Sequence, residues 1–188
     1  RYAPWVKLRT TTGKTLLYVN LHGETGQTEA KAEARSAGWT RLVDVLAKIN
    51  PHNRLPVVIT GDFNARDDET RPVYRDHLVK LGAAGLVNAS STAKKQQTPL
   101  PGVTSFNGFG ARLFGRFQYQ AVHRSVAAGI LAYVWTGGAA RALSWEIYLG
   151  PKVTWKVLDG ILVPYVKFIP SDHWPVVAKV QLSRSKAR

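Results

Sequence analysis

An acid and an amide follow a short apolar run, Pro56 to Thr60, in the motif Gly61-Asp62-Phe63-Asn64-Ala65. The run is β-branched and opened by proline, which predicts a buried strand. A strand that ends in Gly-Asp-x-Asn would place Asp62 and Asn64 at a sheet edge, where α/β proteins bind ligands. The same residue types are also common in solvated turns, so the motif alone leaves both interpretations open.

Two histidines stand beside polar residues at other predicted strand ends. Asn20-Leu21-His22 follows the apolar run 15–19, and Ser171-Asp172-His173 precedes the last apolar run, 175–182. A histidine can donate a proton to a phosphate oxygen when charged and accept one when neutral. One histidine alone would more often be structural, but two in matching positions favour a functional site.

A further acid, Asp159, lies inside the apolar run Trp155 to Val163, which we interpret as one strand. Burying a lone carboxylate is costly unless it is paired. We therefore expect Asp159 to have a partner.

Taken in order, Asn-x-His, Gly-Asp-Phe-Asn, the acid-bearing strand and Ser-Asp-His resemble the endonuclease/exonuclease/phosphatase superfamily, which has the DNase-I-like fold. The resemblance covers most of the chain except about 108–152. It implies a two-sheet α/β sandwich with flanking helices, a single but partial domain over 1–188, and an N-terminal part that is missing. It also implies a metal-dependent phosphodiesterase.

The resemblance assigns roles to the first two motifs. Asp62 would orient or deprotonate the attacking water, or bind metal. Asn64 would point to the same side as Asp62 if the chain stays extended, and would donate its amide to a phosphate oxygen. Asn20 would hold the site by hydrogen bonds or contact phosphate.

The later motifs also receive roles from the resemblance. His173 would be the general base or the acid that stabilises the phosphate, with Asp159 orienting its ring. His22 would be the second phosphate donor, and Asp172 a metal ligand. We therefore expect these side chains to converge at one sheet edge, with Asp159 within hydrogen-bond reach of His173.

The implied cofactor is Mg²⁺, or else Mn²⁺ or Ca²⁺, since oxygen ligands suit these ions better than zinc. The chain has no cysteine, which excludes disulfides, thiol nucleophiles and thiolate metal sites. Relatives carry a metal-binding glutamate in an N-terminal half that would precede Arg1. Because that glutamate would be missing, we expect the chain alone to be nearly inactive. The chain also has no methionine, so we expect a processed product or a fragment.

The composition is strongly basic, with 26 Lys and Arg against 12 Asp and Glu and a net charge of +14. This balance favours a polyanionic partner. We expect this partner to be nucleic acid, DNA rather than RNA. We expect the protein itself to be a monomer. Two alternatives remain: an enzyme of the same superfamily that cleaves phosphoinositides or sphingomyelin on anionic lipid, and a binding module without catalysis.

Local patterns predict the elements that position these motifs. We expect strands at 4–9 and 15–21, a helix capped by Thr28 and stopped at Asn50-Pro51, and a second helix after Pro72. The first helix should have a solvated face that includes Arg35. Residues 108–152 show no sustained period and are interpreted as an insertion beside the site, either a packed cover or a substrate-facing loop. The basic side chains of such a loop would be Arg112, Arg116, His123 and Arg124.

Overall fold

The structure, a computed structural model, describes residues 3–66, 70–97, 105, 112–113, 116–117, 130–148, 154–158, 161–165 and 173–183. Its helices are α1 (Glu29–Ile49), α2 (Asp76–Ala83) and α3 (Ala89–Thr92), with short 3₁₀ turns at Pro51–Asn53 and Pro72–Tyr74. Its strands are β1 (Trp5–Arg9), β2 (Thr15–His22), β3 (Val57–Asp62), β4 (Leu86–Asn88), β5 (Lys95–Gln97), β6 (Arg112–Leu113), β7 (Arg116–Phe117), β8 (Ala132–Gly137), β9 (Ala140–Ile147), β10 (Thr154–Leu158), β11 (Ile161–Tyr165) and β12 (Val176–Leu182).

The larger sheet has the order β1-β2-β3-β8-β4. Strands β2 and β3 run parallel because α1 connects them as a crossover, whereas β8 is antiparallel to both of its neighbours. The parallel register pairs Asn20 with Thr60 and His22 with Asp62. The first two predicted motifs therefore end side by side at the same edge.

Helix α1 begins where the sequence predicts. The Thr28 side chain accepts a 3.4 Å hydrogen bond from the Lys31 N–H, and Asn50 caps the other end. Its inner stripe includes buried Trp39 and Leu42. The expectation that Arg35 is solvated is wrong.

Arg35 is buried, and its guanidinium donates to the carbonyls of Glu24 and Gly26 at 3.0 and 2.7 Å. These acceptors satisfy the charged donors that burial removes from water. Arg35 thereby holds the loop that follows His22. Burial lowers the pKa of Arg35 from its usual value, and this effect outweighs the nearby Tyr74 and Glu24, which act in the opposite direction.

A second sheet, β12-β9-β5, packs against the first. One apolar cluster lies between α1, α2 and the larger sheet, and includes Leu17, Ile59 and Phe63. The other lies between the two sheets and includes Val58 and Trp145. The predicted two-sheet α/β architecture is confirmed. Within the described residues, no helix is long and apolar enough to cross a membrane.

The interpretation of 108–152 as an insertion needs correction over 130–148. Strand β8 lies in the interior of the larger sheet, and β9 is the middle strand of the smaller one. The pairing of β12 with β9 shifts register between Lys179 and Val180, so the buried positions of β9 change phase after Ala142. This irregularity hides the period of two that would have revealed a strand.

The single strand expected over Trp155 to Val163 is also wrong. Strands β10 and β11 form an antiparallel pair in which Leu158 is opposite Ile161. Only Asp159 and Gly160 separate them, and Asp-Gly is typical of two-residue hairpin connections. Asp159 itself lies outside the described residues.

Candidate active site

His22 and Asp62 face each other from neighbouring strand ends. Their register pairing brings Nε2 of His22 to 3.5 Å from Oδ2 of Asp62. Strand alternation places Leu21 in the helix-side core and His22 on the opposite face, toward the second sheet. The His22 side chain is 57% exposed and that of Asp62 is 21% exposed, so a ligand can reach both.

His173 approaches the same carboxylate from the segment before β12. Its Nε2 lies 3.6 Å from Oδ2 of Asp62. The next residue, Trp174, is buried between the sheets. The main-chain N–H of Trp174 donates to the Ser105 carbonyl at 2.8 Å, which fixes the backbone beside His173.

Ser105 is a positioning residue that sequence reasoning missed. It is fully buried, and its Oγ accepts hydrogen bonds from the N–H groups of Leu131 and Ala132 at 2.8 and 3.0 Å. It therefore joins the start of β8 to the segment carrying His173. No signal in the sequence distinguishes this serine from its polar neighbours.

Asn64 does not continue the line of β3. Its φ of 49° is left-handed, so the extended chain that would place Asn64 on the same side as Asp62 is not formed. Its N–H donates to Oδ1 of Asp62 at 2.8 Å, and its Nδ2 donates to the Gly23 carbonyl at 3.0 Å. Asn64 thus fixes both the Asp62 carboxylate and the start of the loop after His22. A contact with phosphate remains a prediction.

Two glycines let the strand ends approach closely. Gly61 has a φ of 137°, and a Cβ there would lie 1.9 Å from the Leu21 carbonyl oxygen. A Cβ on Gly23 would lie 2.2 Å from the Phe63 carbonyl oxygen. The Gly23 N–H also donates to the Asp62 carbonyl at 2.7 Å. Gly23, directly after His22, could have been recognised as part of the first motif.

Asn20 lies on the same strand face as His22, two residues away. Its Oδ1 accepts a 3.4 Å hydrogen bond from the Thr60 hydroxyl, which also contacts the Tyr18 hydroxyl at 2.7 Å. Asn20 therefore belongs to a polar row beside the site. The roles proposed for Asp159 and Asp172 lie outside the described residues, including the pairing of Asp159 with His173, and stay predictions.

The described part of the chain holds a partial set of metal donors. It contains no group of three His, Asp or Glu side chains arranged to bind an ion. Asp62 is the single carboxylate at the site among these residues, and its Oδ1 already accepts a hydrogen bond. The two imidazoles can hydrogen-bond to a phosphate group, and Asp62 offers one oxygen ligand of the kind that Mg²⁺ favours.

No protein-family model and no curated protein sequence matches the chain. Solved structures do match. An endonuclease/exonuclease/phosphatase family protein from Bacteroides thetaiotaomicron has a TM-score of 0.64 and 17% identity, over 94% of this chain and 54% of that one. The mannosyl-6-phosphatase Bt3783 of the same organism has a TM-score of 0.65 and 17% identity, over 95% and 56%.

Sphingomyelinase C from Streptomyces griseocarneus has a TM-score of 0.60 and 19% identity, over 93% of this chain and 56% of that one. A beta toxin structure from Staphylococcus aureus, with a TM-score of 0.56, 17% identity and cover of 93% and 56%, holds bound magnesium ions. The chain spans a little over half the length of these structures. It has the two-sheet α/β fold of endonuclease/exonuclease/phosphatase proteins, and the predicted resemblance is confirmed at the level of the fold.

Proposed function

We propose that the protein hydrolyses phosphate esters at the site formed by His22, Asp62 and His173. The observation that carries this proposal is the convergence of two imidazole Nε2 atoms on one carboxylate oxygen, at 3.5 and 3.6 Å. The fold adds support, because it is shared with a mannosyl-6-phosphatase and a sphingomyelinase.

The geometry suits the proton transfers that hydrolysis requires. The oxygen of water forms a bond to phosphorus, the bond to the leaving oxygen breaks, and the water proton must be removed. A neutral imidazole or the Asp62 carboxylate can accept that proton. A protonated imidazole can donate to a phosphate oxygen whose negative charge grows in the transition state. His22 and His173 flank Asp62 and can divide these two tasks.

A divalent cation is proposed as the cofactor, with Asp62 and Asp172 as its protein ligands. A bound Mg²⁺ would neutralise charge on phosphate and leaving oxygens. The residues that the structure describes do not by themselves complete such a site, and the proton steps above use only His22, Asp62 and His173.

Nucleic acid is the proposed substrate, with DNA favoured over RNA. The net charge of +14 supports this, because cations contacting the phosphate backbone supply most of the affinity of nucleic-acid-binding proteins. Arg71 adds a local observation. Arg71 is an exposed residue, and its guanidinium carbon lies 3.7 Å from the ring centroid of Tyr74. The Tyr74 hydroxyl donates to the Gln27 carbonyl in the loop after His22. The loop beside the site thus has a cation fixed near it.

A lipid phosphodiester is the second candidate substrate, favoured by the structural likeness to sphingomyelinase C. The same positive charge would attract an anionic membrane surface. The two candidates differ in their products, which are cleaved polynucleotide in one case and a released headgroup in the other.

The proposal is tested with the protein as its gene encodes it. Bis-p-nitrophenyl phosphate, plasmid DNA and sphingomyelin vesicles are each incubated with Mg²⁺ and, separately, with EDTA. We expect Mg²⁺-dependent hydrolysis that is lost in His22→Ala and kept in His52→Ala, since His52 is an exposed residue of the turn after α1. Salt-dependent DNA binding without any hydrolysis would instead identify a binding module.

A further inference from the structure

A buried hydrogen-bond chain links α2 to the turn that follows Asp62. Nε2 of His77 lies 3.2 Å from the Tyr133 hydroxyl, and that hydroxyl donates to the Ala65 carbonyl at 3.0 Å. His77, Tyr133 and Ala65 are all buried, with exposures of 0, 1 and 2%. His77 lies in α2, on the face of the helix that packs into the interior.

Proton positions in this chain follow from the hydrogen-bonding groups. The Ala65 carbonyl can only accept, so the Tyr133 hydroxyl gives its hydrogen to it. The hydroxyl oxygen must then accept from His77, and Nε2 carries the imidazole hydrogen. The other nitrogen, Nδ1, is buried without a hydrogen-bond partner among the described residues. His77 is therefore a donor with a single target.

Packing secures the turn on its other side. Phe63 is fully buried and stacks on Trp39, with ring centroids 5.0 Å apart and an interplanar angle of 20°. The Tyr133 ring contacts Phe63 at 4.9 Å. Asn64 thus lies between an aromatic anchor at Phe63 and a hydrogen-bonded anchor at Ala65.

We propose that His77 and Tyr133 are positioning residues, which hold the turn 62–65 so that Asp62 faces His22 and His173. The turn has a left-handed residue at Asn64, and its N–H fixes Oδ1 of Asp62. Without the hydrogen bond from Tyr133 to the Ala65 carbonyl, the turn would lose its anchor after Asn64. The hydrogen bond from the Asn64 N–H to Asp62 would then weaken, and the carboxylate would be free to rotate. The catalytic part of this inference rests on the proposed function, whereas the conformational part does not.

Tyr133→Phe is the decisive variant, because it keeps the ring and removes only the hydroxyl. Trp135→Phe is the matched control. Trp135 packs against the same rings, at 6.5 Å from Phe63 and 6.3 Å from Tyr133, but its indole Nε1 makes no hydrogen bond to the described residues. Both variants disturb the same core, but only Tyr133→Phe removes the hydrogen bond to the Ala65 carbonyl.

The first readout is amide hydrogen exchange measured by NMR, which requires no activity. We expect the Asn64 N–H to exchange about tenfold faster in Tyr133→Phe, the scale of one lost buried hydrogen bond. The same N–H should keep its exchange rate in Trp135→Phe. Unchanged exchange in Tyr133→Phe would overturn the inference.

The second readout is turnover of bis-p-nitrophenyl phosphate. We expect kcat to fall by about 10- to 100-fold in Tyr133→Phe with little change in KM, because a displaced catalytic group lowers the rate more than binding. His77→Leu should behave similarly, and His77→Gln, which keeps an N–H donor, should recover part of the rate. Fast exchange with an unchanged kcat would refute the positioning role.

The two readouts separate this inference from the proposed function. If the wild-type protein hydrolyses no phosphate ester, the proposed function fails, and the exchange measurement still decides whether His77 and Tyr133 hold the turn. If the protein is active and the exchange rates do not differ, the proposed function stands and the inference fails.

Discussion

Nε2 of His22 lies 3.5 Å from Oδ2 of Asp62, and the two residues are also register partners at the ends of parallel strands. Main-chain hydrogen bonding therefore sets the spacing of two side chains that are forty positions apart in the sequence. A slip of one residue in either strand would turn one of these side chains to the opposite face of the sheet. The site depends on the register as much as on the identity of the two residues.

Replacing Asp62 with asparagine keeps the shape of the side chain and removes its charge. We expect turnover to fall by about 10²- to 10⁴-fold, because an amide at this position can neither accept a proton nor attract a protonated imidazole by charge. KM should change much less. Steady-state kinetics with bis-p-nitrophenyl phosphate measures both.

The control for that substitution is Asp44→Asn on the exposed face of α1, which should keep wild-type kinetics. Equal losses in Asp62→Asn and Asp44→Asn would point to a general effect of charge on substrate attraction rather than to a role for Asp62 in the reaction.

Replacing His173 with alanine tests the third member of the site. We expect a loss in turnover of about 10²- to 10⁴-fold, since either a general base or a phosphate donor disappears. Substrate affinity, measured by titration with a slowly hydrolysed phosphorothioate, should change little. Near-normal turnover in His173→Ala would show that its catalytic assignment is wrong.

The sequence predicted the elements whose periodicity is regular. Thr28 as the cap of α1 and the strands leading to His22 and Asp62 follow from local rules and are confirmed. These features depend on neighbouring residues along the chain, which a single sequence displays.

Features that depend on distant contacts were missed. Arg35 has helical spacing typical of a solvated face, and only the carbonyls of the Glu24 loop explain its burial. His77 also carries no local motif, because its partner Tyr133 lies 56 positions away. The left-handed turn at Asn64 is held by a hydrogen bond from the Asn64 side chain to the Gly23 carbonyl, which lies at the end of another strand.

The glycines at the site yield a stability prediction. A Cβ at Gly61 would overlap the Leu21 carbonyl, and its φ of 137° is unfavourable for any other residue, so Gly61→Ala should separate β2 from β3 or unfold the protein. The measurement is chemical denaturation followed by circular dichroism. We expect a loss of at least about 3 kcal/mol in the free energy of unfolding.

The matched control for that experiment is Gly38→Ala. Gly38 lies inside α1, and apart from the helix's own backbone no atom of the described residues lies within 4 Å of the position that a Cβ would occupy. This substitution should raise the free energy of unfolding by about 0.5–1 kcal/mol through helix propensity. A Gly61→Ala protein as stable as Gly38→Ala would contradict the close approach of the two strands.

The buried His77 predicts how stability depends on pH. Burial is the main cause that lowers the pKa of His77 from 6.5 to about 4, and the positive charges of Arg35 and Arg75 add to it. Between these two pH values the unfolded chain binds a proton that the folded chain does not. The free energy of unfolding should therefore fall as pH decreases from 6.5 to 4, by about 3 kcal/mol in total from this group. Above and below that window this group adds no further dependence on pH.

Asp76, the acid nearest in sequence to His77, affects a different range. Hydrogen bonds from Lys80 and Ser36 lower the pKa of Asp76 below 3.8 despite the opposing effect of burial, so the stability that it contributes is lost only in more acidic solution. Urea denaturation at several pH values between 4 and 7.5 isolates the histidine. His77→Gln should flatten the dependence on pH, and His52→Gln should leave it unchanged. A slope that persists in His77→Gln would show that other groups cause the acid sensitivity.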